Sequence, residues 1–320
     1  MTKKRCLYCY QVLEDAEKDF HPLCSRKIFD KPDPPILPYT EAQMLELAEK
    51  VILSRVTVTG VQPKLSLDIE PAEKSTEPKR FTIVGLWGGY TLKPPTKNYH
   101  HLPEVEDLTM HLASLCKIKV VPHSLIRLEN GSLAYITRRI DRVKSKKIHM
   151  EDMCQLTERL TEHKYDGSYE QIAKAILKFS ANPVLDVVNF YEQVLVSFLT
   201  GNADMHLKNF SLIKDPVIGY SLTPAYDLVA SSLVNPEDKE DLALNLNGKK
   251  RKIKKKDFIE AFKRANLDEK VIESLFRKFE KSFAQWNDFI DISFLPANMK
   301  KEYKQLIKVK SNQLELKPVH

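Results

Sequence analysis

The sequence predicts an α+β fold in two lobes, the first of mixed β-sheet and helix and the second mainly helical. Between Val56 and about Ile148, short alternating or β-branched runs are typical of strands. Beyond Glu151, most apolar residues recur at helical spacing instead. We therefore place an N-terminal Cys/His segment with a proline-rich linker at residues 1–39, the first lobe at 40–150 and the second at 151–320.

The first lobe should contain a sheet interrupted by one helix. A helix is expected to begin after Thr40, a residue type that caps helix N-termini. Another should run from Glu104 to Cys116, where the apolar residues share one stripe. The predicted strands are Val56 to Leu67, Arg80 to Leu86, Gly89 to Leu92, Ser124 to Leu128 and Leu133 to Thr137.

The second lobe should consist of helices around one hairpin. Tyr169 to Phe179 and Leu185 to Leu199 carry the strongest helical patterns. Further helices are expected from Asp257 to about Gln305. Two strands are expected around Phe210 to Leu222, because Asp215-Pro216 and Gly219 are residues that turn a hairpin.

The composition restricts the class of protein. With 42% hydrophobic and 29% charged residues, the chain is neither disordered nor collagen-like. No apolar stretch reaches the roughly 18 residues that span a bilayer. The segment from Met1 to Lys18 is too charged for the apolar region of a signal peptide. We expect a soluble, cytoplasmic protein with no membrane partner.

The net charge of +7 arises from a local excess of basic residues. Seven of the eight residues from Lys249 to Lys256 are basic. Such a run could bind nucleic acid, a membrane surface or an acidic protein. We favour a solvated loop ahead of a helix, because no aromatic residues interleave with the lysines to stack on bases. Direct nucleic-acid binding is therefore not expected.

The densest group of polar residues lies in Gly201 to Phe210, directly after a very apolar helix. Asp204 and Asn209 stand five apart, the spacing by which phosphotransferases place a carboxylate beside the attacking hydroxyl and an amide oxygen on Mg²⁺. Eighteen residues after Asn209, the predicted hairpin would return Asp227 to the same neighbourhood. Either acid alone would be a cap or turn residue, but together they predict a catalytic Asp204 and a metal site at Asn209 and Asp227. His206 receives a supporting role, because a histidine in such a loop often holds the backbone in shape.

Phosphoryl transfer also needs cations around the phosphates. Lys93 ends an apolar strand, and Glu106 on the next helix could orient its ammonium group. By itself, a lysine at this position would more often be a solvated strand end. Gly60 and Lys64 lie in a turn that could fold over phosphates, and Lys208 is a further ATP-binding candidate.

Six blocks, in this order, carry a resemblance to one family. They are Thr59 to Lys64, Tyr90 to Lys93, Arg139 to Arg142, His149 to Gln155, Gly201 to Phe210 and Pro224 to Leu228. The set closely resembles the HipA family of serine/threonine kinases, the toxins of type II toxin–antitoxin systems, over about residues 54 to 310. The resemblance implies a two-lobed, kinase-like (HipA-like) fold. It also implies an ATP- and magnesium-dependent kinase whose protein substrates are aminoacyl-tRNA synthetases.

Carried over position by position, the resemblance implies a role for each matching residue. Asp204 would be the catalytic base, Asn209 and Asp227 would bind magnesium, and Lys93 would contact the ATP phosphates. The hinge for adenine and ribose would be formed by Arg138, Ile140 and Asp141.

In this family, autophosphorylation of a hydroxyl residue ahead of Gly60 ejects the loop and silences the enzyme. Thr57 aligns best and Thr59 next, although serine is usual there, and Ser54 is an outlying candidate. A phosphothreonine would add about −1.5 to −2 charges beside a site built for ATP phosphates. The added negative charge would repel the ATP phosphates, and this repulsion would inhibit the enzyme.

The chain resembles the compact, HipT-like members, because the additional N-terminal subdomain of longer members does not fit before Thr40. In compact members the missing part is sometimes a separate small protein, so the resemblance implies an inhibitory antitoxin partner. Two alternatives stay open. One is a small-molecule kinase, which shares the spacing of base and amide. The other is an inactive kinase-like module that binds antitoxin or nucleic acid through the basic run.

Three of the five cysteines crowd the N-terminus, which suits a metal clip better than a disulfide framework. Cys6 and Cys9 form one pair, and His21 and Cys24 form a second pair after an interval of eleven residues. Four soft ligands in two paired turns are what a tetrahedral structural zinc site requires. The alternative is a set of free thiols on an ordered N-terminal arm.

Overall fold

The computed structural model describes residues 4–54, 64–70, 79–84, 88–143 and 146–317. Two units make up the chain. The first comprises Met1–Asp107, Val121–Lys146 and Ile292–Phe294. The second comprises Leu108–Val120, Lys147–Asp291 and Leu295–His320.

A five-stranded sheet organises the first unit. Its strands are β1 (Leu65–Ile69), β2 (Phe81–Ile83), β3 (Tyr90–Lys93), β4 (His123–Arg127) and β5 (Leu133–Arg138). The order is β2-β1-β3-β5-β4, and every described pair is antiparallel. Leu65 lies opposite Leu92, which in turn lies opposite Ile136, and all three side chains are buried. These strands confirm the predicted runs within the described residues, and residues 55–63 and 85–87, which include parts of two runs, lie outside them.

Three helices accompany this sheet in the sequence, namely α1 (Pro22–Phe29), α2 (Glu41–Ser54) and α3 (Leu102–Leu115). Helix α2 begins where the sequence predicts, because the Gln43 amide N–H donates to the Thr40 hydroxyl at 3.3 Å. The α3 residues up to Asp107 belong to the first unit and the rest to the second. Helix α1 was not predicted, since residues 1–30 were interpreted only as a Cys/His segment.

Short strands follow β5 in the chain. β6 (Arg142–Val143) and β7 (Lys146–Lys147) form a two-stranded ribbon. In the second unit, β8 (Met150–Asp152), β9 (Ser211–Asp215) and β10 (Gly219–Leu222) form an antiparallel sheet in the order β10-β9-β8. The predicted hairpin is therefore confirmed as β9 and β10, and β8 adds a third strand that the sequence did not indicate.

The remaining helices of the second unit surround a very apolar one. They are α4 (Met153–Leu156), α5 (Tyr169–Phe179), α6 (Pro183–Thr200), α7 (Ser231–Val234), α8 (Lys255–Arg264), α9 (Glu269–Glu280), α10 (Phe283–Asp291) and α11 (Ala297–Gln313). Most of α6 is buried, which fits a helix that is apolar on nearly all sides. Phe190 of α6 packs edge-on against Phe210, with ring centroids 5.0 Å apart.

The basic run lies where the sequence predicts, in a loop ahead of a helix. Lys255 begins α8, and the Lys249 ammonium group donates to the Asp257 carboxylate at 2.8 Å. Ile253 interrupts the run and is buried. Among the described residues, no helix combines the length and the apolar character needed to cross a membrane.

Candidate active site

The loop from Gly201 to Phe210 is fixed at its start by the end of α6. Gly201 caps the helix in the left-handed region, with φ +71, where a residue without a Cβ carries little strain. A Cβ at this position would lie 2.7 Å from Leu306 Cδ2, so the space also favours glycine. The Ala203 amide N–H donates to the Ser231 hydroxyl at 2.8 Å, which ties the loop to α7. The loop therefore leaves α6 in one fixed direction.

Asp204 and Asn209 are joined through the backbone of the loop. The Asn209 Nδ2 group donates to the main-chain carbonyl of Asp204 at 3.0 Å, and Asn209 is buried. The same carbonyl accepts the amide N–H of His206 at 2.8 Å. Because the nitrogen of the carboxamide makes this bond, its Oδ1 atom is directed elsewhere and can act as a ligand.

The Asp204 carboxylate is half-buried and held by a tyrosine. The Tyr165 hydroxyl donates to Asp204 Oδ1 at 2.5 Å. Burial raises the pKa of Tyr165, and the nearby Asp204 charge raises it further. Tyr165 therefore remains a hydrogen-bond donor, and it fixes one carboxylate oxygen of Asp204 while the second oxygen can receive a proton.

His206 is a buried, uncharged histidine on which the charges of two acids act. Burial lowers the pKa of its imidazole to about 4, although Asp204 and Asp227 both act to raise it. The imidazole packs edge-on against Tyr165, with ring centroids 5.0 Å apart. Among the described residues, its Nδ1 atom has no hydrogen-bond partner. The supporting role of His206 stays a prediction.

Asp227 lies near the same histidine. Its charge acts on the His206 imidazole together with that of Asp204, so both acids lie within electrostatic range of one ring. Asp227 also has a positive φ of 61, a conformation that few non-glycine residues adopt and that is frequent at functional sites. Both acids therefore act on one ring of the second unit, and their convergence on one cation stays a prediction.

Lys208 and Asn209 lie on a short 3₁₀ turn that two further side chains secure. The Lys208 ammonium group donates to Asp152 Oδ2 at 2.7 Å, and Asp152 also caps α4. The Tyr226 hydroxyl donates to the main-chain carbonyl of Lys208 at 3.0 Å. Neighbouring segments thus hold the loop from both sides.

The side-chain oxygens of Asn209 and Asp227 are suitable ligands for a magnesium ion. Mg²⁺ takes oxygen ligands, usually one or two from carboxylates together with phosphate oxygens. The Asn209 Oδ1 atom and the Asp227 carboxylate are such ligands, and the Asn209 side chain is oriented by its bond to Asp204. The unpartnered Nδ1 atom of His206 nearby also leaves a hydrogen bond that the described residues do not supply.

In the first unit, Lys93 and Glu106 form a buried ion pair. The Lys93 ammonium group lies 2.5 Å from Glu106 Oε1, and both side chains are almost completely buried. The ammonium also lies 5.5 Å from the ring centroid of Tyr135. Strand β3 and helix α3 therefore present this lysine with its partner in place, so Lys93 is not a solvated strand end.

The predicted hinge residues carry a compact set of ion pairs. Asp141 accepts two hydrogen bonds from Arg139, at 2.9 and 2.8 Å, and one from Arg142 at 2.5 Å. Burial alone would raise the pKa of Asp141, but these arginines outweigh it and lower the pKa. Arg138 instead pairs with Asp30 at 2.8 Å, while Ile140 is half-buried.

Four further residues were predicted as nucleotide or phosphorylation sites. Thr57, Thr59 and Gly60 lie outside the described residues, whereas Lys64 is described and exposed. The structure adds three residues that the sequence gave no role, namely Asp152, Tyr165 and Tyr226. Tyr165 is 39 residues from Asp204, and no spacing pattern indicates that contact. The structure brings the side chains of the N-terminal cluster together, namely Cys6, Cys9, His21 and Cys24.

Comparisons with known proteins agree on one family. The model of the HipA-like C-terminal domain matches residues 56–286. A protein of Sinorhizobium fredii named "Putative kinase Y4dM" is 31% identical, over 72% of this chain and 59% of its own length. The "Serine/threonine-protein kinase toxin HipA" of Shewanella oneidensis is 29% identical, over 55% of this chain and 43% of its own length.

A solved structure shows the fold. A chain in the complex of the Shewanella oneidensis toxin–antitoxin system HipA, HipB and its operator DNA matches with a TM-score of 0.69 and 21% identity. The match covers 90% of this chain and 75% of that one. The predicted α+β, kinase-like fold is therefore confirmed. This chain spans 59% to 63% of the length of the first two curated relatives that it matches.

The buried His206 should make stability depend on pH. Its pKa falls from the ordinary value of 6.5 to about 4 in the folded chain. Between these pH values the His206 imidazole is protonated in the unfolded chain but not in the folded chain, so the free energy of unfolding falls as the pH is lowered. The pKa difference between the two states corresponds to about 3 kcal/mol of that free energy. Denaturant unfolding of wild type and His206→Gln at pH 7 and pH 4 should show a smaller loss in the variant.

The exposed His163 supplies the control for this measurement, since its side chain is 54% exposed. His163→Gln should follow the wild type at both pH values. An equal loss of stability in wild type and His206→Gln would contradict the assignment of a buried, neutral imidazole.

Proposed function

The chain belongs to the family defined by the HipA-like C-terminal domain, and we propose that it is an ATP- and magnesium-dependent protein serine/threonine kinase. The observation that carries the proposal is the arrangement of the second unit's loop. Asn209 is bonded to the main chain of Asp204, and Asp227 and Asp204 both act on His206. A base and two oxygen ligands for a cation are what phosphoryl transfer requires of this part of a kinase.

Asp204 is the proposed catalytic base. Its second carboxylate oxygen would accept the proton of a serine or threonine hydroxyl as that oxygen bonds to the γ-phosphorus of ATP. The bond from the γ-phosphorus to the bridging oxygen breaks at the same time, and ADP leaves with its electron pair. Tyr165 keeps the carboxylate in one orientation throughout, because its hydroxyl donates to Oδ1.

Asn209 and Asp227 are the proposed ligands of Mg²⁺. The ion, when bound, neutralises charge on the phosphate oxygens. The chain contributes the orientation of the ligands, since Asn209 is fixed through its amide nitrogen and Asp227 through its backbone conformation. The neutral state of His206 avoids a competing positive charge beside the cation.

Within the first unit, we propose that Lys93 binds nucleotide phosphates. Its buried pairing with Glu106 fixes the ammonium group at the end of β3, and an ammonium group held in place in this way is a cation that can act on nucleotide phosphates. The proposal extends to the other candidates for nucleotide contact: Gly60, Lys64, Arg138, Ile140, Asp141 and Lys208. Asp141 is held by two arginines, so its carboxylate has a defined position.

The wider role follows from the same family membership. We propose a toxin kinase that phosphorylates a translation component such as an aminoacyl-tRNA synthetase and that binds an inhibitory antitoxin protein. The curated Shewanella relative is named as a toxin, and the solved Shewanella complex contains HipB, which supports this proposal. Copurification with a small protein encoded beside the chain tests the antitoxin part. Recovery of the chain without it, at matched expression, counts against that part.

Replacing the proposed base should remove transfer. Asp204→Asn keeps the size of the side chain and removes its charge, so phosphate transfer from labelled ATP should fall by about 10²- to 10⁴-fold. The measurement follows labelled phosphate in the chain itself and in a heat-treated cell extract. The protein acceptors of that extract are separated from its small-molecule acceptors. Asp215→Asn is the matched control, because Asp215 ends β9 at the turn of the hairpin and accepts only backbone N–H groups among the described contacts. Equal transfer by wild type and Asp204→Asn would rule out the assignment.

We also propose that the kinase silences itself by phosphorylating Thr57 or Thr59, which the structure does not describe. After incubation with ATP and Mg²⁺, mass spectrometry should find one added phosphate on the peptide around these residues. Thr57→Ala should lose it, or Thr59→Ala if that residue is the acceptor. The phosphorylated chain should transfer less phosphate to other proteins than the dephosphorylated chain. Phosphate found only elsewhere, or full activity of the phosphorylated form, would contradict this mechanism.

A further inference from the structure

The first unit contains a four-residue cluster that the proposed kinase chemistry does not use. One ligand atom from each of Cys6, Cys9, His21 and Cys24 lies within 4.8 Å of every other. Cys6 and Cys24 are buried, and the remaining two are half-buried. The cysteines are thiols, with no disulfide among the described residues. The N-terminal pairs that the sequence indicates therefore meet at one point.

The distances within the cluster match a tetrahedral metal site. Zinc bonds of about 2.3 Å to sulfur and 2.0–2.1 Å to nitrogen place sulfur and nitrogen ligands about 3.5 Å apart in a tetrahedron. The Cys9 Sγ atom lies 3.4 Å from His21 Nδ1, and the Cys24 Sγ atom lies 3.7 Å from the same nitrogen. Three thiolates and one imidazole are a ligand set that selects zinc over hard cations.

The orientation of His21 is set from outside the cluster. Its Nε2 atom lies 3.1 Å from the main-chain carbonyl of Val12, so Nε2 carries the proton and Nδ1 presents a lone pair to the sulfurs. Metal-bound histidines in proteins are usually held in this way by a second hydrogen bond. A histidine that only filled space among apolar residues would need no such arrangement.

The backbone around the cysteines forms a tight knuckle. The Cys6 amide N–H donates to the main-chain carbonyl of Gln11 at 2.8 Å, and the Tyr10 amide N–H donates to the main-chain carbonyl of Cys6 at 2.9 Å. Tyr10 has a positive φ of 64, which reverses the chain directly after Cys9. His21 then precedes α1, and Cys24 lies in the first turn of that helix. A turn and a helix start, distant in the sequence, thus supply one pair of ligands each.

We propose that these four residues form a structural zinc site that cross-links the N-terminal segment to itself, between residues 6 and 24. The site is closed, with four protein ligands and no position for substrate, so its role is in stability rather than catalysis. A segment of about 24 residues buries too little surface to fold by itself, and metal binding supplies the missing stabilisation.

The N-terminal segment contacts β4 and also helix α3, which carries Glu106. The Leu7 carbonyl accepts the Ser124 hydroxyl of β4 at 3.1 Å. The Tyr10 hydroxyl donates to Asp107 at 2.6 Å, and Asp107 is also 2.6 Å from His123 of β4. Asp107 follows Glu106 directly on α3, so the segment that the zinc site cross-links contacts, through Tyr10, the helical turn that positions the proposed phosphate-binding lysine.

The test is the metal content of the purified full-length chain, prepared without a polyhistidine tag. Elemental analysis and native mass spectrometry should find about one zinc ion per chain in the wild type. Cys9→Ser should retain less than a tenth of that amount, because the remaining three ligands hold the metal far more weakly. Two controls should retain zinc fully. Cys154→Ser removes a buried thiol of the second unit, and Tyr10→Phe removes a contact of the knuckle without removing a ligand.

A second measurement keeps the test decisive if Cys9→Ser folds poorly. Titration of Co²⁺ into metal-free wild type should give the visible absorption of tetrahedral thiolate coordination, and one equivalent of Zn²⁺ should abolish it. A zinc chelator should lower the melting temperature of the wild type and leave that of Cys9→Ser unchanged.

The proposal is overturned if the wild type holds no zinc even after incubation with an equimolar amount and desalting. It is equally overturned if Cys9→Ser and wild type hold the same amount. Neither result depends on phosphate transfer, so failure of the zinc site and failure of the proposed kinase activity are distinguishable.

Discussion

The hydrogen bond from the Asn209 carboxamide to the main-chain carbonyl of Asp204 closes the loop after α6 at 3.0 Å. A buried amide that lost this acceptor would leave an unsatisfied donor, at a cost of about 1–3 kcal/mol. The bond therefore fixes two things at once. It orients the oxygen of Asn209, and it holds the backbone from which the Asp204 carboxylate projects. Gly201 allows the loop to start in the necessary direction, because its φ of +71 is accessible without strain.

The electrostatics of the second unit depend on the same closed loop. Burial lowers the pKa of the His206 imidazole and keeps it neutral despite the charges of Asp204 and Asp227, so it adds no positive charge beside a bound cation. Tyr165 donates to one of them, and its raised pKa keeps it a donor. In the first unit, too, a buried polar group is held by a specific partner. Lys93 remains buried only because Glu106 pairs with it, since an unpaired buried ammonium is strongly disfavoured.

Local patterns in the sequence predict much of this structure. Helix α5 was predicted with its observed ends, because its apolar residues repeat at helical spacing. The structure adds a capping box of Ser168 and Gln171 at its start. The hairpin was predicted from Asp215-Pro216 and Gly219, which are local turn signals. Strand β8 was missed, since three residues are too few to show a period, and its pairing partner lies some sixty residues away in β9.

Contacts between distant residues mark the limit of prediction at the site. The spacing of Asp204 and Asn209 and their separation from Asp227 were visible in the sequence, but no pattern joins Tyr165 to Asp204 or Tyr10 to Asp107. Such pairs arise from the tertiary fold. Tyr10 and Asp107 are both fully buried, so each would otherwise lack a partner, whereas Tyr165 is exposed and meets a half-buried Asp204. The N-terminal helix α1 was also missed, because the sequence evidence there lay in the ligands and not in helical periodicity.

The central claim is that Asp227 and the loop from Gly201 to Phe210 form one magnesium–nucleotide site. Calorimetric titration of ATP into wild type and Asp227→Asn, each with and without Mg²⁺, tests it most directly. The variant should bind ATP with Mg²⁺ at least about tenfold more weakly, which corresponds to about 1.4 kcal/mol, and both proteins should bind metal-free ATP alike. Equal affinity of wild type and Asp227→Asn for ATP in the presence of Mg²⁺ would contradict the account.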